Sequence, residues 1–268
     1  MDEEYRMVIP GILSKVPEVC DFVVSVARKV GLDDRAAYHC QMAVDEACTN
    51  IIEHGYGRNN PGGWIEIICC DKPDRYVIRI VDDSPPFNPL LHAEPDPNAA
   101  LSERGRGGWG IYFIKKMMDE ATYAYENNRN HLTIAKLKTP KNLAATRGAG
   151  LEMGTPVRPL DKGYWEIIPN GRLESNTAPG LQTVLNGQIE SGRVRLVVNM
   201  SDVTYISTSG LKVLVNTWRR ARERGGDVKL AGLTPHVLEV FETVGFDQLF
   251  GIYHTVDDAL QSITDEAA

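Results

Sequence analysis

The sequence has no apolar run near the roughly 18 residues of a membrane-spanning helix, which excludes a helical membrane span. It has no excess of positive charge. Its 29 Lys and Arg stand against 36 Asp and Glu, a net charge of −7. That argues against nucleic acid or an anionic membrane as a direct partner. Cysteines number five, an odd count with no framework spacing, no CxxC pair and no Cys/His cluster. The expectation is a reducing, cytoplasmic setting with thiols that pack rather than ligate. The start, Met1-Asp2-Glu3-Glu4, is acidic, opposite to a secretory signal. No Lys-Ser/Thr follows the glycine clusters, so there is no Walker A motif. A strand–helix turn opening a βαβ unit is also missing, so there is no Rossmann fingerprint. What remains is 268 residues, 43% of them hydrophobic, enough for one large or two medium packed domains.

The stretch Val44 to Tyr56 organises the first half. Val44, Cys48, Ile51 and Ile52 recur at helical spacing and form one apolar face. Glu46, Asn50, Glu53 and His54 share another, and Gly55 reads as a helix stop. A carboxylate and a carboxamide therefore project one turn apart in the same direction. A carboxamide oxygen is a hard ligand for magnesium. A neighbouring carboxylate can take a proton from an attacking hydroxyl. The same residues also fit an ordinary polar helix surface.

Around this stretch the pattern predicts a strand at 5–9, a helix at 13–30 ended by Gly31, and a helix opened by Asp33 as N-cap. Strands at 64–70 and 76–82 read as a hairpin. So do 121–125 and 132–137. Cys69 and Cys70 lie in one strand and face opposite sides of its sheet. Between the hairpins runs an irregular segment, 83–110, with five prolines and then Gly105-Arg106-Gly107-Gly108-Trp109-Gly110. It leads into an apolar helix at 111–118. Glycines entering a helix N-terminus suit an approach to phosphate.

Together these boxes resemble the GHKL ATPase superfamily, in particular its anti-sigma-factor serine kinase branch. The resemblance rests on Asp45-Glu46-Ala47-Cys48-Thr49-Asn50 with Glu53-His54-Gly55-Tyr56, on Val81-Asp82-Asp83-Ser84-Pro85-Pro86-Phe87-Asn88-Pro89, and on Gly105 to Tyr112. It implies ATP and Mg2+. Glu46 is then the general base and Asn50 the magnesium ligand. Asp82 accepts from the adenine amino group, with Thr133 in support. His54, Ser84, Phe87, Arg106, Gly107, Gly108, Trp109 and Gly110 complete the ATP site. Arg104 or Arg106 is placed to meet phosphate charge. Ser84 departs from the family, which has glycine there.

The composition shifts at 139–156 to Pro, Gly and small residues, the mark of a linker. Roughly 18 such residues span ~25 Å. Beyond it, strands and helices alternate, which predicts a mainly parallel sheet. The second half resembles a STAS domain of the anti-anti-sigma-factor type. It does so on Gly171-Arg172-Leu173 with Thr177-Ala178, on Val197 to Ser201, and on Ser207-Thr208-Ser209-Gly210-Leu211. The family's phosphoacceptor falls on Thr208 and its preceding aspartate on Ser207. Two further acids fall on Glu174 and Asn199. Read from the residues alone, Ser or Thr at this place caps a helix.

The expected fold class is α/β in two domains. The first (1–138) is an N-terminal GHKL sandwich, with a mixed, mostly antiparallel sheet and helices on one face. After a linker (139–160), the STAS domain (161–268) has a mixed, mainly parallel sheet. The resemblance implies a serine/threonine protein kinase of a partner-switching system. Its implied partners are a sigma factor, a STAS protein in cis or trans, a second copy in a homodimer, and a phosphatase acting on the phosphorylated STAS domain. The alternative is a module that binds nucleotide without turnover and sequesters a sigma factor or STAS partner.

Overall fold

Period-two burial in adjoining strands builds the first sheet. The computed structural model describes residues 3–57, 63–91, 109–138 and 155–265. The chain divides into two compact units, Met1–Thr146 and Arg147–Ala268.

The first unit holds β1 (Glu4–Pro10), α1 (Val16–Lys29), α2 (Asp34–Asn50), β2 (Trp64–Asp71), β3 (Arg75–Asp82), α3 (Trp109–Met117), β4 (Glu120–Glu126) and β5 (Arg129–Leu137). The sheet order is β1-β2-β3-β5-β4, with every pairing antiparallel. Ile65, Ile67 and Cys69 on β2, Ile78 and Ile80 on β3, and Leu132 and Ile134 on β5 share the face that packs on the helices. Cys70 joins Ile68 and Val81 in a small cluster on the other face. The two adjacent cysteines thus divide between the faces. All five cysteines are free and buried. Burial pushes the Cys69 thiol up to about 12, which keeps it protonated and unreactive.

Asp33 caps α2 by accepting from the Ala36 N–H at 2.7 Å. Every residue of α2 from Ala36 to Thr49 is buried. The hydrophobic stripe predicts one buried face only. Packing against both α1 and α3 accounts for the rest. The helix does not stop at Gly55, a correction to the expectation above. It widens into a π-helical turn over Ile51–Gly57 and ends at Gly57, whose φ of +74° only glycine adopts without strain.

The second unit has a five-stranded sheet of order β12-β11-β9-β7-β6 and a separate parallel pair, β8 and β10. Its elements are β6 (Val157–Pro159), β7 (Trp165–Ile167), β8 (Gly171–Leu173), α4 (Ala178–Glu190), β9 (Arg195–Asn199), β10 (Val203–Ile206), α5 (Thr208–Arg222), β11 (Asp227–Ala231), α6 (Pro235–Thr243), β12 (Ile252–Tyr253) and α7 (Val256–Asp265). Pairings in the large sheet are parallel except β6 with β7. Strand β6 lies in a stretch read from sequence as linker. Leu196, Val197 and Val198 are fully buried, as their unbroken apolar run predicts. No described helix is long and apolar enough to cross a membrane.

Candidate active site

Helical spacing places Glu46 and Asn50 one turn apart on α2, and they meet. Asn50 Nδ2 donates to Glu46 Oε1 at 3.2 Å. That bond fixes the amide, with Oδ1 directed away from the carboxylate. Glu46 is buried, 7% exposed. Gly110, in the first turn of α3, presses directly on it. A Cβ at Gly110 would fall on the Glu46 carboxylate. The carboxylate thus lies against a helix start, where N–H groups lack intrahelical partners.

Asp82 ends β3 on the helix-facing side of the sheet, because it continues the parity of Ile78 and Ile80. The Cys48 thiol on α2 is pushed up by burial first, and then by the Asp45 and Asp82 carboxylates. Asp82 is therefore close to the helix that carries Glu46. Directly opposite Asp82 on β5 is Asn130. Its Nδ2 donates to Asp82 Oδ1 at 3.0 Å and to the Ser84 carbonyl at 2.9 Å. Its Oδ1 accepts from the Phe87 N–H at 3.2 Å and from the Tyr123 hydroxyl at 2.6 Å. The Ser84 N–H donates to Asp82 Oδ1 at 2.9 Å. One carboxamide thus fixes the loop after β3 and one oxygen of Asp82. The sequence reading missed Asn130. Its signal was a polar residue two before Leu132, in the parity of the apolar face.

Gly55 of the π-helical turn meets this loop. A Cβ there would lie 2.7 Å from Ser84 Oγ. The glycine thus serves close approach rather than a helix stop. Tyr56 holds the turn's end. Its hydroxyl is 2.7 Å from Asp83 Oδ1 and 2.9 Å from the Trp64 carbonyl. That hydrogen bond is the first cause holding the Asp83 carboxyl below its ordinary value.

Not all the expected residues gather here. Thr133 pairs with Arg79 and Thr122, on the opposite face from Asp82. Period two forbids Thr133 and Asn130 from sharing a face, so Asn130 and not Thr133 stands beside Asp82. His54 is exposed on the π-helical turn. Phe87 is 47% exposed. Arg104, Arg106, Gly107 and Gly108 lie outside the described residues. Of Trp109 only the backbone, at the start of α3, is described.

In the second unit, Ser207 caps α5 by accepting from the Gly210 N–H at 3.5 Å. Thr208 is 1% exposed, and among the described residues its Oγ1 has no hydrogen-bond partner. Ser209 is half-buried and shares a hydrogen bond of 3.2 Å with Ser175. Arg172 holds Glu174 at 3.0 Å. Asn199 donates to the fully buried Glu166 at 2.8 Å.

The family model of the histidine kinase-like ATPase domain matches residues 9–136, and that of the STAS domain matches 167–259. BtrV of Bordetella bronchiseptica, which bears the name of an anti-sigma factor antagonist, is 34% identical over 33% of this chain and 77% of its own length. The chain belongs to the STAS family, with a histidine kinase-like ATPase domain ahead of its STAS domain. The ATPase domain is similar to the serine-protein kinase RsbW of Bacillus mycoides, 29% identical over 44% of this chain and 75% of that protein. The STAS domain is also similar to a solved anti-sigma factor antagonist from Mycobacterium paratuberculosis. That match has 26% identity and a TM-score of 0.39, and covers 41% of this chain and 93% of that one.

Proposed function

We propose that the ATPase domain is an ATP-dependent serine/threonine protein kinase of a bacterial partner-switching system, acting in the cytoplasm on a STAS-domain protein. The observation that carries this reading is the Glu46–Asn50 pair under Gly110, with Asp82 held by Asn130 on the sheet face toward the same helix. ATP is the phosphoryl donor. Asp82 accepts from the adenine amino group, beside the loop of Ser84 and Phe87. The first turn of α3, at Trp109 and Gly110, receives the phosphates, and the resemblance adds Arg106, Gly107 and Gly108 to that part of the site. Glu46 takes the proton from the acceptor hydroxyl, and that oxygen attacks the γ-phosphate. His54, exposed and one turn beyond Asn50, is assigned to the mouth of the site. The Asn50 carboxamide oxygen is the ligand for Mg2+, which neutralises phosphate charge when bound. The donor set fits: one hard oxygen suits a metal held mainly by substrate phosphates.

The STAS partner acts in cis or in trans, and a sigma factor is the competing partner. A homodimer and a phosphatase that resets the STAS domain complete the cycle. A second reading, nucleotide binding without turnover, draws on Ser84, which stands where the family has glycine.

Incubating the full chain with radiolabelled ATP, Mg2+ and an added STAS-domain protein separates the two. Label is expected on protein, and Glu46→Gln is expected to lower transfer ~10²-fold or more. Nucleotide binding with no transfer by the native chain would establish the second reading instead.

A further inference from the structure

The start of α5 offers two hydroxyls beyond its cap, and they differ in access. Thr208 is 1% exposed, and its buried Oγ1 has no hydrogen-bond partner among the described residues. An oxygen so enclosed cannot come in line with a phosphoryl group. Ser209 is half-buried, and the Ser175 hydroxyl, itself half-buried, stands at 3.2 Å from its Oγ. Close packing beside them opposes a backbone shift that would exchange the two. Gly210 packs so tightly that a Cβ there would lie 2.8 Å from the Leu173 carbonyl and 2.9 Å from Ile206 Cγ1. The helix start is thereby pinned to β8.

We infer that Ser209, rather than Thr208, accepts a phosphoryl group on this STAS domain. The inference rests on the kinase reading above. The Ser209 Oγ–P bond forms as the bond from the γ-phosphorus to the ADP oxygen breaks. ADP leaves with the electron pair, and the hydroxyl proton passes to the Glu46 carboxylate of the acting ATPase domain. The surroundings suit the product. N–H groups in the first turn of α5 lack intrahelical partners and favour an anion. The cap is the neutral Ser207, and the nearby Glu174 is already paired with Arg172 at 3.0 Å. The unpartnered Thr208 hydroxyl, buried in the same turn, is a donor still lacking an acceptor.

The full chain is incubated with ATP, Mg2+ and a separately purified STAS-domain protein, and phosphosites are mapped by mass spectrometry. Phosphate is expected on Ser209. Ser209→Ala lowers incorporation into the chain at least ~10-fold, whereas Thr208→Val, which keeps the buried shape, leaves it within about two-fold. Phosphate on Thr208 of the native chain overturns the inference and leaves the kinase reading standing. So does phosphate on the added protein with none on the chain. No transfer to either protein overturns the kinase reading, and this inference with it.

Discussion

At Gly55 the side chain is missing because another occupies its place. Ser84 Oγ lies 2.7 Å from where a Cβ would stand. Overpacking of this kind costs about 1–3 kcal/mol. Gly55→Ala should therefore destabilise the ATPase domain by that order, and Ser84→Gly should relieve most of the cost. The check is a double-mutant cycle in urea, with a coupling energy of about 1 kcal/mol or more expected. Additive costs would mean that the two residues do not share the space. The sequence points to Glu46 and Asn50 because their chemistry follows from type and spacing, and to Asp82 only through the resemblance of its box. Parity marks Asn130 as a polar residue on the apolar face, but only the strand register sets it opposite Asp82. Thr133 was drawn in by its hydroxyl, and sheet parity turns it away. The burial of Thr208 was equally invisible, because a threonine at a helix start reads as a cap or an acceptor whichever way it packs.

Among elements, helices, long strands and the short β7 and β12 are legible from pattern, and the short β6, β8 and β10 are not. Those three carry too few alternations to register. β6 looked like linker, yet it brings Arg158 against Glu166. Glu166 is fully buried while Arg158 is 62% exposed. Removing one partner of a buried pair costs about 3–5 kcal/mol when both are enclosed. Here the arginine is open to solvent and Asn199 still bonds Glu166, so the loss is smaller. Arg158→Ala should accordingly speed amide exchange at Glu166 and Ile167 by about 10- to 100-fold. Unchanged exchange would show the pair to be worth nothing. The π-helical turn after α2 was read as a glycine stop because composition cannot separate a stop from a widened turn. Only the positive φ at Gly57 locates the true end.

Over the whole molecule, each unit has its own sheet and buried core. Pro, Gly and small residues displace the apolar pattern at 139–156, and the division into two units falls within that stretch. The complete account depends on a nucleotide held between α2 and the strand that ends at Asp82. A crystal structure of the full chain with a non-hydrolysable ATP analogue and Mg2+ tests this most directly. The account predicts the adenine amino group on Asp82, the metal on Asn50, and the γ-phosphate between Glu46 and the first turn of α3. A nucleotide bound elsewhere, or none bound at millimolar analogue, would contradict it.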